Sequence, residues 1–114
     1  MALQKIYAHI SCSDLDRSTR WFETLFGRKP DDRPMDGLVE WHHGDAAGFQ
    51  LFAEPEKAGG HTLTLGVTAL RDEHARLSGG GLAPGPVESA DKVSVVRLSD
   101  PDGNLVVLAQ PGRA

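Results

Sequence analysis

A single cysteine, Cys12, excludes an internal disulfide and a four-thiolate zinc site. Cys12 sits in an apolar alternation with nothing electropositive beside it in the sequence, so it reads as a small buried hydrophobe and not as a nucleophile. No apolar run approaches the roughly 20 residues that span a bilayer, so no membrane segment is expected. The opening residues Met1-Ala2-Leu3-Gln4-Lys5-Ile6 have no apolar stretch after Lys5 and do not read as a signal peptide, which makes the cytoplasm the expected location. There is no basic excess: the formal net charge of −4 argues against a nucleic-acid partner. The glycine-rich stretch Gly79-Gly80-Gly81 follows a helical pattern, with no basic residue or helix start directly after it, so it is a connector and not a phosphate cradle.

What is present is an ordinary globular composition, 39% hydrophobic and 25% charged over 114 residues, enough for one domain with its own core. The chain also repeats. At a spacing of 55 residues, Tyr7 to Leu15 lies over Thr62 to Leu70, and each copy is an alternating strand that enters a helix. In the first copy Ser13 is read as the N-cap, Leu15, Phe22 and Leu25 form the apolar stripe, and Gly27 closes the helix. In the second, Thr68 is read as the cap, Leu70, His74 and Leu77 follow helical spacing, and the glycines end it. Two strands follow each helix: Leu38 to His42 and Phe49 to Ala53, then Val93 to Leu98 and Leu105 to Gln110. Weaker strand signals precede them near Arg28 to Asp31 and Val87 to Ser89. Glu54 to Gly60 reads as a flexible joint between a unit at about 1–57 and a unit at about 61–112 of a single domain spanning 1–114.

The last strand opens on Ser99-Asp100-Pro101-Asp102-Gly103-Asn104, a turn in which Pro101 pre-sets φ, the aspartates bond nearby amides and Gly103 accepts positive φ. Together with Ser13-Asp14-Leu15-Asp16-Arg17-Ser18 and the duplicated pattern, this turn makes the whole chain resemble the vicinal oxygen chelate superfamily of glyoxalases, extradiol dioxygenases and bleomycin-resistance proteins. The resemblance implies an α+β fold of two tandem βαβββ units, whose curved mixed and antiparallel sheets enclose a cleft with helices outside. It also implies a homodimer.

Metal-using members of that superfamily carry ligands near the start of the first strand of each unit and in the last strand of each. Carried over, those positions fall on Tyr7, Thr62, Val107 and either Gln50 or Phe52, and that set lacks three or four convergent nitrogen or oxygen donors. No cofactor is therefore expected, with a divalent metal on a shifted set of His9, Gln50 and His61 as the alternative. His9 shares a strand face with Tyr7 and is the candidate acid–base residue, although a hydrogen-bonded cleft histidine is the blander reading. His61 is expected to point away from the cleft. His42 and His43, adjacent on a strand, read as solvated strand-end residues, and His74 as a core-edge residue.

Tyr7, His9, Trp41, Gln50, Phe52, Thr62, Thr64 and Val107 are the candidate ligand-contacting residues, with Trp41 as the stacking platform. The expected function is metal-independent sequestration of an aromatic or amphipathic small molecule, as in bleomycin-resistance proteins. The alternative is a lyase, isomerase or dioxygenase-like enzyme using the shifted metal set or His9 with Tyr7.

Overall fold

In the computed structural model, which covers residues 1–114, the two units of the sequence repeat become two sheets, each with one helix. The first unit runs β1 (Ile6–Cys12), α1 (Leu15–Phe26), β2 (Asp32–Met35), β3 (Leu38–His43) and β4 (Ala47–Ala53). Its strands lie in the order β1-β4-β3-β2, with β1 parallel to β4 and the rest antiparallel. After a 3₁₀ turn at Pro55–Lys57 the second unit gives β5 (Thr62–Gly66), α2 (Leu70–Gly79), β6 (Val93–Ser99) and β7 (Leu105–Pro111), in the order β5-β7-β6. The architecture is α+β. The second unit has one strand fewer than the repeat predicts: where the first has β2, only Glu88 bridges Val95. β2 itself starts one residue beyond the predicted signal and contains Pro34, which an edge strand tolerates because its outer N–H groups need no partner.

Alternation along the strands decides which side chains meet the helices. In the first sheet Ile10, Cys12, Val39, Trp41, Phe49 and Leu51 face α1 and are buried, and Phe22 and Leu25 of the helix close over them. In the second sheet Leu63, Val96, Leu98, Val106 and Leu108 take the same role beneath Leu70 and Leu77 of α2. Burying each such side chain stabilises the fold by about 1.5–3 kcal/mol before the entropy of ordering it is subtracted.

Both helix starts differ from the sequence reading. Asp14, not Ser13, caps α1: its carboxylate accepts from Arg17 N, which leaves Ser13 free to bind Asp102 through its hydroxyl and its amide. α2 has no side-chain cap of its own at Ala69, and the amide of Leu70 donates instead to Gln110 Oε1 on β7. Thr68 plays no capping part because the helix begins one residue later than its spacing suggests.

The helices lie side by side. Arg76 of α2 donates to the carbonyl oxygens of Thr24 and Leu25 at the end of α1, at 2.7 and 2.6 Å, and Gly80 packs against Thr24. One helix layer on one sheet layer matches the smallest dimension of the molecule, 24 Å against 41 and 35 Å. In a single chain the sheet faces turned away from the helices are open.

The junction between the units is polar and buried at Asn104, which has no exposed surface. Its Oδ1 accepts from the amides of Gly59 and His61, and its Nδ2 donates to Ser11 O and to Asp100 Oδ2. Gly103, at φ 84°, supplies the left-handed residue that turns the chain into β7. One side chain thus joins β1, the linker and the Asp-Pro-Asp-Gly turn.

Candidate functional site

The pairing registers place Tyr7, His9 and Ser11 of β1 beside Gly48, Gln50 and Phe52 of β4, all on the open face of the first sheet. Leu38, Glu40 and His42 of β3 complete that face. Gln50 and Phe52, between which sequence could not choose, are on it together.

A continuous polar chain crosses this surface. His9 Nε2 stands 3.2 Å from Glu54 Oε1, and its Nδ1 stands 3.4 Å from Gln50 Oε1. Gln50 Nε2 donates to Glu40 Oε2 at 2.8 Å, and Glu40 Oε1 lies 3.0 Å from His42 Nε2. Ser11 donates its hydroxyl proton to Glu54, which also pairs with Lys57. Both ring nitrogens of His9 face oxygens, and a neutral imidazole donates to only one of them, so its other nitrogen keeps its lone pair.

The carboxylates are held ionised. Burial pushes Glu40 up, but hydrogen bonds from Gln50 and His42, with the charge on His42, outweigh it and keep the group below its usual range. Glu54 is lowered by the hydrogen bonds from Ser11 and His9, with desolvation opposing them. Neither glutamate stands out in the sequence: Glu40 hides among strand residues and Glu54 in what reads as a joint. The strand parity of Val39-Glu40-Trp41-His42 is the signal that could have found Glu40.

Two rings flank the polar chain. Phe52 meets the His9 ring edge-on at 6.1 Å between centroids. Tyr7 lies across Gly48, so close that a Cβ there would sit 2.7 Å from its Cε1, with Lys5 Nζ 5.3 Å from the ring centroid. The absence of a side chain at Gly48 is what lets the phenol lie flat on the sheet.

Three sequence expectations change here. Trp41 is not on this face: it is 2% exposed on the helix side, donates Nε1–H to Arg28 O at 3.0 Å and packs with Phe22, Phe26 and Phe49. His61, expected to point away, turns its ring toward His9 at 6.5 Å, with Nε2 buried and without a partner. It precedes β5, so strand parity does not govern it. His42 is also more than a solvated strand end, since it bonds Glu40.

Thr62, Thr64 and Val107 fall on the open face of the second sheet, where Thr62 pairs with Leu105 and Thr64 with Val107. Val95, Ala109 and the exposed Val93 and Leu105 make this face largely apolar, with the Arg97–Glu88 ion pair at its side.

The residues present do not fit a metal of the kind the resemblance implies. The carried-over positions offer a phenol, a hydroxyl, an amide or a phenyl ring, and a valine. No group of three or more His, Cys, Asp or Glu side chains is arranged to hold an ion. The shifted set offers only the His9–Gln50 contact and a histidine whose ring is edge-on to His9.

No protein-family model matches the chain. No curated protein sequence matches it either. Solved structures do. A glyoxalase/bleomycin resistance protein from Catenulispora acidiphila DSM 44928 superposes with a TM-score of 0.85 at 23% identity, covering 93% of this chain and 96% of its own. An antibiotic-binding protein from Streptomyces sp. CB03234 gives 0.82 at 22% identity, over 98% and 99%. A bleomycin-binding protein complexed with bleomycin gives 0.77 at 21% identity, over 93% and 97%. The fold is that of the glyoxalase/bleomycin-resistance proteins. It is the fold that the duplicated strand–helix pattern and the Asp-Pro-Asp-Gly turn imply.

Proposed function

We propose that the protein is a small-molecule binding protein of the glyoxalase/bleomycin-resistance type, which sequesters an aromatic or amphipathic compound on the Tyr7–His9–Gln50–Phe52 face without a metal. The observation that carries this reading is the combination, on one open sheet face, of two aromatic rings with a pre-formed hydrogen-bonded chain from Glu54 through His9 and Gln50 to Glu40 and His42. Apolar area with a few fixed polar groups is what orients an organic ligand. Two ionised carboxylates favour a basic nitrogen on that ligand over an anionic group. Bleomycin binding and antibiotic binding among proteins of this fold support the same direction.

A second copy of the chain supplies the opposite wall, laying its Thr62, Thr64 and Val107 face over the polar face of the first. The support is that both faces are open in one chain and that the second is apolar. A thermal-shift screen of aromatic and cationic amphiphiles, bleomycin included, run with and without EDTA, tests the binding. Ligand at a hundredfold excess over Kd adds about 2.7 kcal/mol to native stability, several degrees in Tm. No shift with any compound, or shifts abolished by EDTA, would overturn the reading. Light scattering that finds only the 12.3 kDa species would remove the second wall.

A further inference from the structure

A cavity of about 650 Å³ lies mainly on the helix side of the sheets and reaches His42, Gly48 and Thr64 at its edge. Its walls come from both units: the start of β1, the end of β5, the C-terminal turn of α1 and the flank of α2. Interiors of this size normally close to voids no larger than a water. Here the closure fails for identifiable reasons. The helix-side row of the first sheet runs on past the end of α1 through Ile6, His43 and Ala47. Ile6 is 66% exposed as a result. Ala8 and Ala47 are too small to fill the space, and α2 buries only Leu70 and Leu77, which leaves Leu65 and Val67 partly uncovered.

We infer that this cavity is a second ligand site, distinct from the open polar face, and that it takes an uncharged, largely apolar, ring-bearing molecule of drug size. The volume falls in the range of small-molecule pockets, and 12 of its 20 lining residues are hydrophobic, with the rings of Trp41, Phe26 and Phe49 among them. The arginines and the glutamate in the wall are already committed, and His42 at its edge bonds Glu40. Arg28 is paired with Asp31, and Arg76 with Glu73 and the carbonyls of Thr24 and Leu25. A charged ligand would have to break those contacts or enter without a partner, which low-polarity surroundings penalise. An uncharged ring can lie against the apolar and aromatic part of the wall, which is its larger share, without disturbing those contacts.

The probe is N-phenyl-1-naphthylamine, neutral and fluorescent in apolar surroundings, titrated into the whole protein. Saturable uptake near one per chain, with quenching of tryptophan emission, is expected. Ala8→Phe fills the cavity from β1 and lowers probe affinity at least tenfold. Ala47→Phe blocks it from the exposed rim, where the added ring imposes no core strain, and does the same. His9→Ala and Glu54→Gln, on the opposite face, leave uptake of this probe as in wild type. No saturable uptake, or wild-type affinity in both phenylalanine variants with native circular dichroism, overturns the second site. Affinity lost in His9→Ala but kept in Ala47→Phe places the probe on the polar face and overturns it equally, while leaving the proposed function standing.

Discussion

Asn104→Ala is the most informative single perturbation of this fold. The amide group of Asn104 is fully buried and serves four partners: the amides of Gly59 and His61, at 3.0 and 2.9 Å, and the oxygens of Ser11 and Asp100, at 3.2 and 2.8 Å. Truncation leaves two backbone donors and one backbone acceptor without partners, while Asp100 keeps the amides of Asp102 and Asn104. A buried group left unsatisfied costs about 1–3 kcal/mol, which applies to the Ser11 carbonyl and the partly buried His61 amide, while the exposed Gly59 amide is free to bind water. Water entering the vacated space recovers part of that, so the net loss is about 4 kcal/mol, a large share of the roughly 5–15 kcal/mol a domain of this size has. Urea unfolding at neutral pH measures it. The companion Asn104→Asp keeps the acceptor for Gly59 and His61 but sets a carboxylate against Asp100. One of the two carboxylates then has a raised pKa in the native state, so this variant regains stability relative to wild type as pH falls. A loss below about 1 kcal/mol for Asn104→Ala with an unchanged m value, or an Asn104→Asp difference flat with pH, would refute the assignment of Asn104 as the joint between the units.

Four further outcomes are expected. Because the native pKa of Glu40 lies below its unfolded value, its contribution to stability is complete above about pH 5 and is lost as pH falls through the native value; Glu40→Gln should remove that part of the acid slope in a pH series of urea melts. Desolvation by burial and then the charge of Asp102 push the Cys12 thiol up to about 11, so native protein at pH 8 should not react with Ellman's reagent, while denatured protein should titrate one thiol. Arg76→Ala removes the two hydrogen bonds that tie α2 to the end of α1 and should cost about 1–2 kcal/mol by urea melt, where the exposed Arg71→Ala should cost close to nothing. Gly48→Ala should lift the Tyr7 ring off the sheet, moving its ring-proton NMR signals and weakening any ligand of the polar face, with stability changed by less than about 1 kcal/mol.

The fold was legible because its signals are local and repeated. The alternation Tyr7 to Cys12 recurs in Thr62 to Gly66, each copy is followed by a helical stripe, and the Asp-Pro-Asp-Gly turn opens β7 in the register the sequence implies. The candidate site was legible only in part, and parity explains the division. Tyr7, His9, Gln50 and Phe52 share a face because strand spacing fixes their side, and the two pairings β1 with β4 and β3 with β4 add Glu40 and His42 to it. Trp41 was read as the stacking platform of the cleft, yet it alternates with Glu40 and His42. Two polar neighbours on one face of a strand mark the opposite face as core, and Trp41 follows Val39 there. Where no period holds, sequence has no such lever. His61 lies just before β5, and the amide of Asn104, which accepts from the backbone N–H of His61, fixes its backbone; its ring therefore turns toward His9 for a reason that resides 43 residues away. The same long-range joint leaves both open faces on one side of the chain and the helices together on the other. The polar chain on one surface and the apolar cavity beneath the helices are thus two consequences of how the units meet, which no reading of either unit alone could supply.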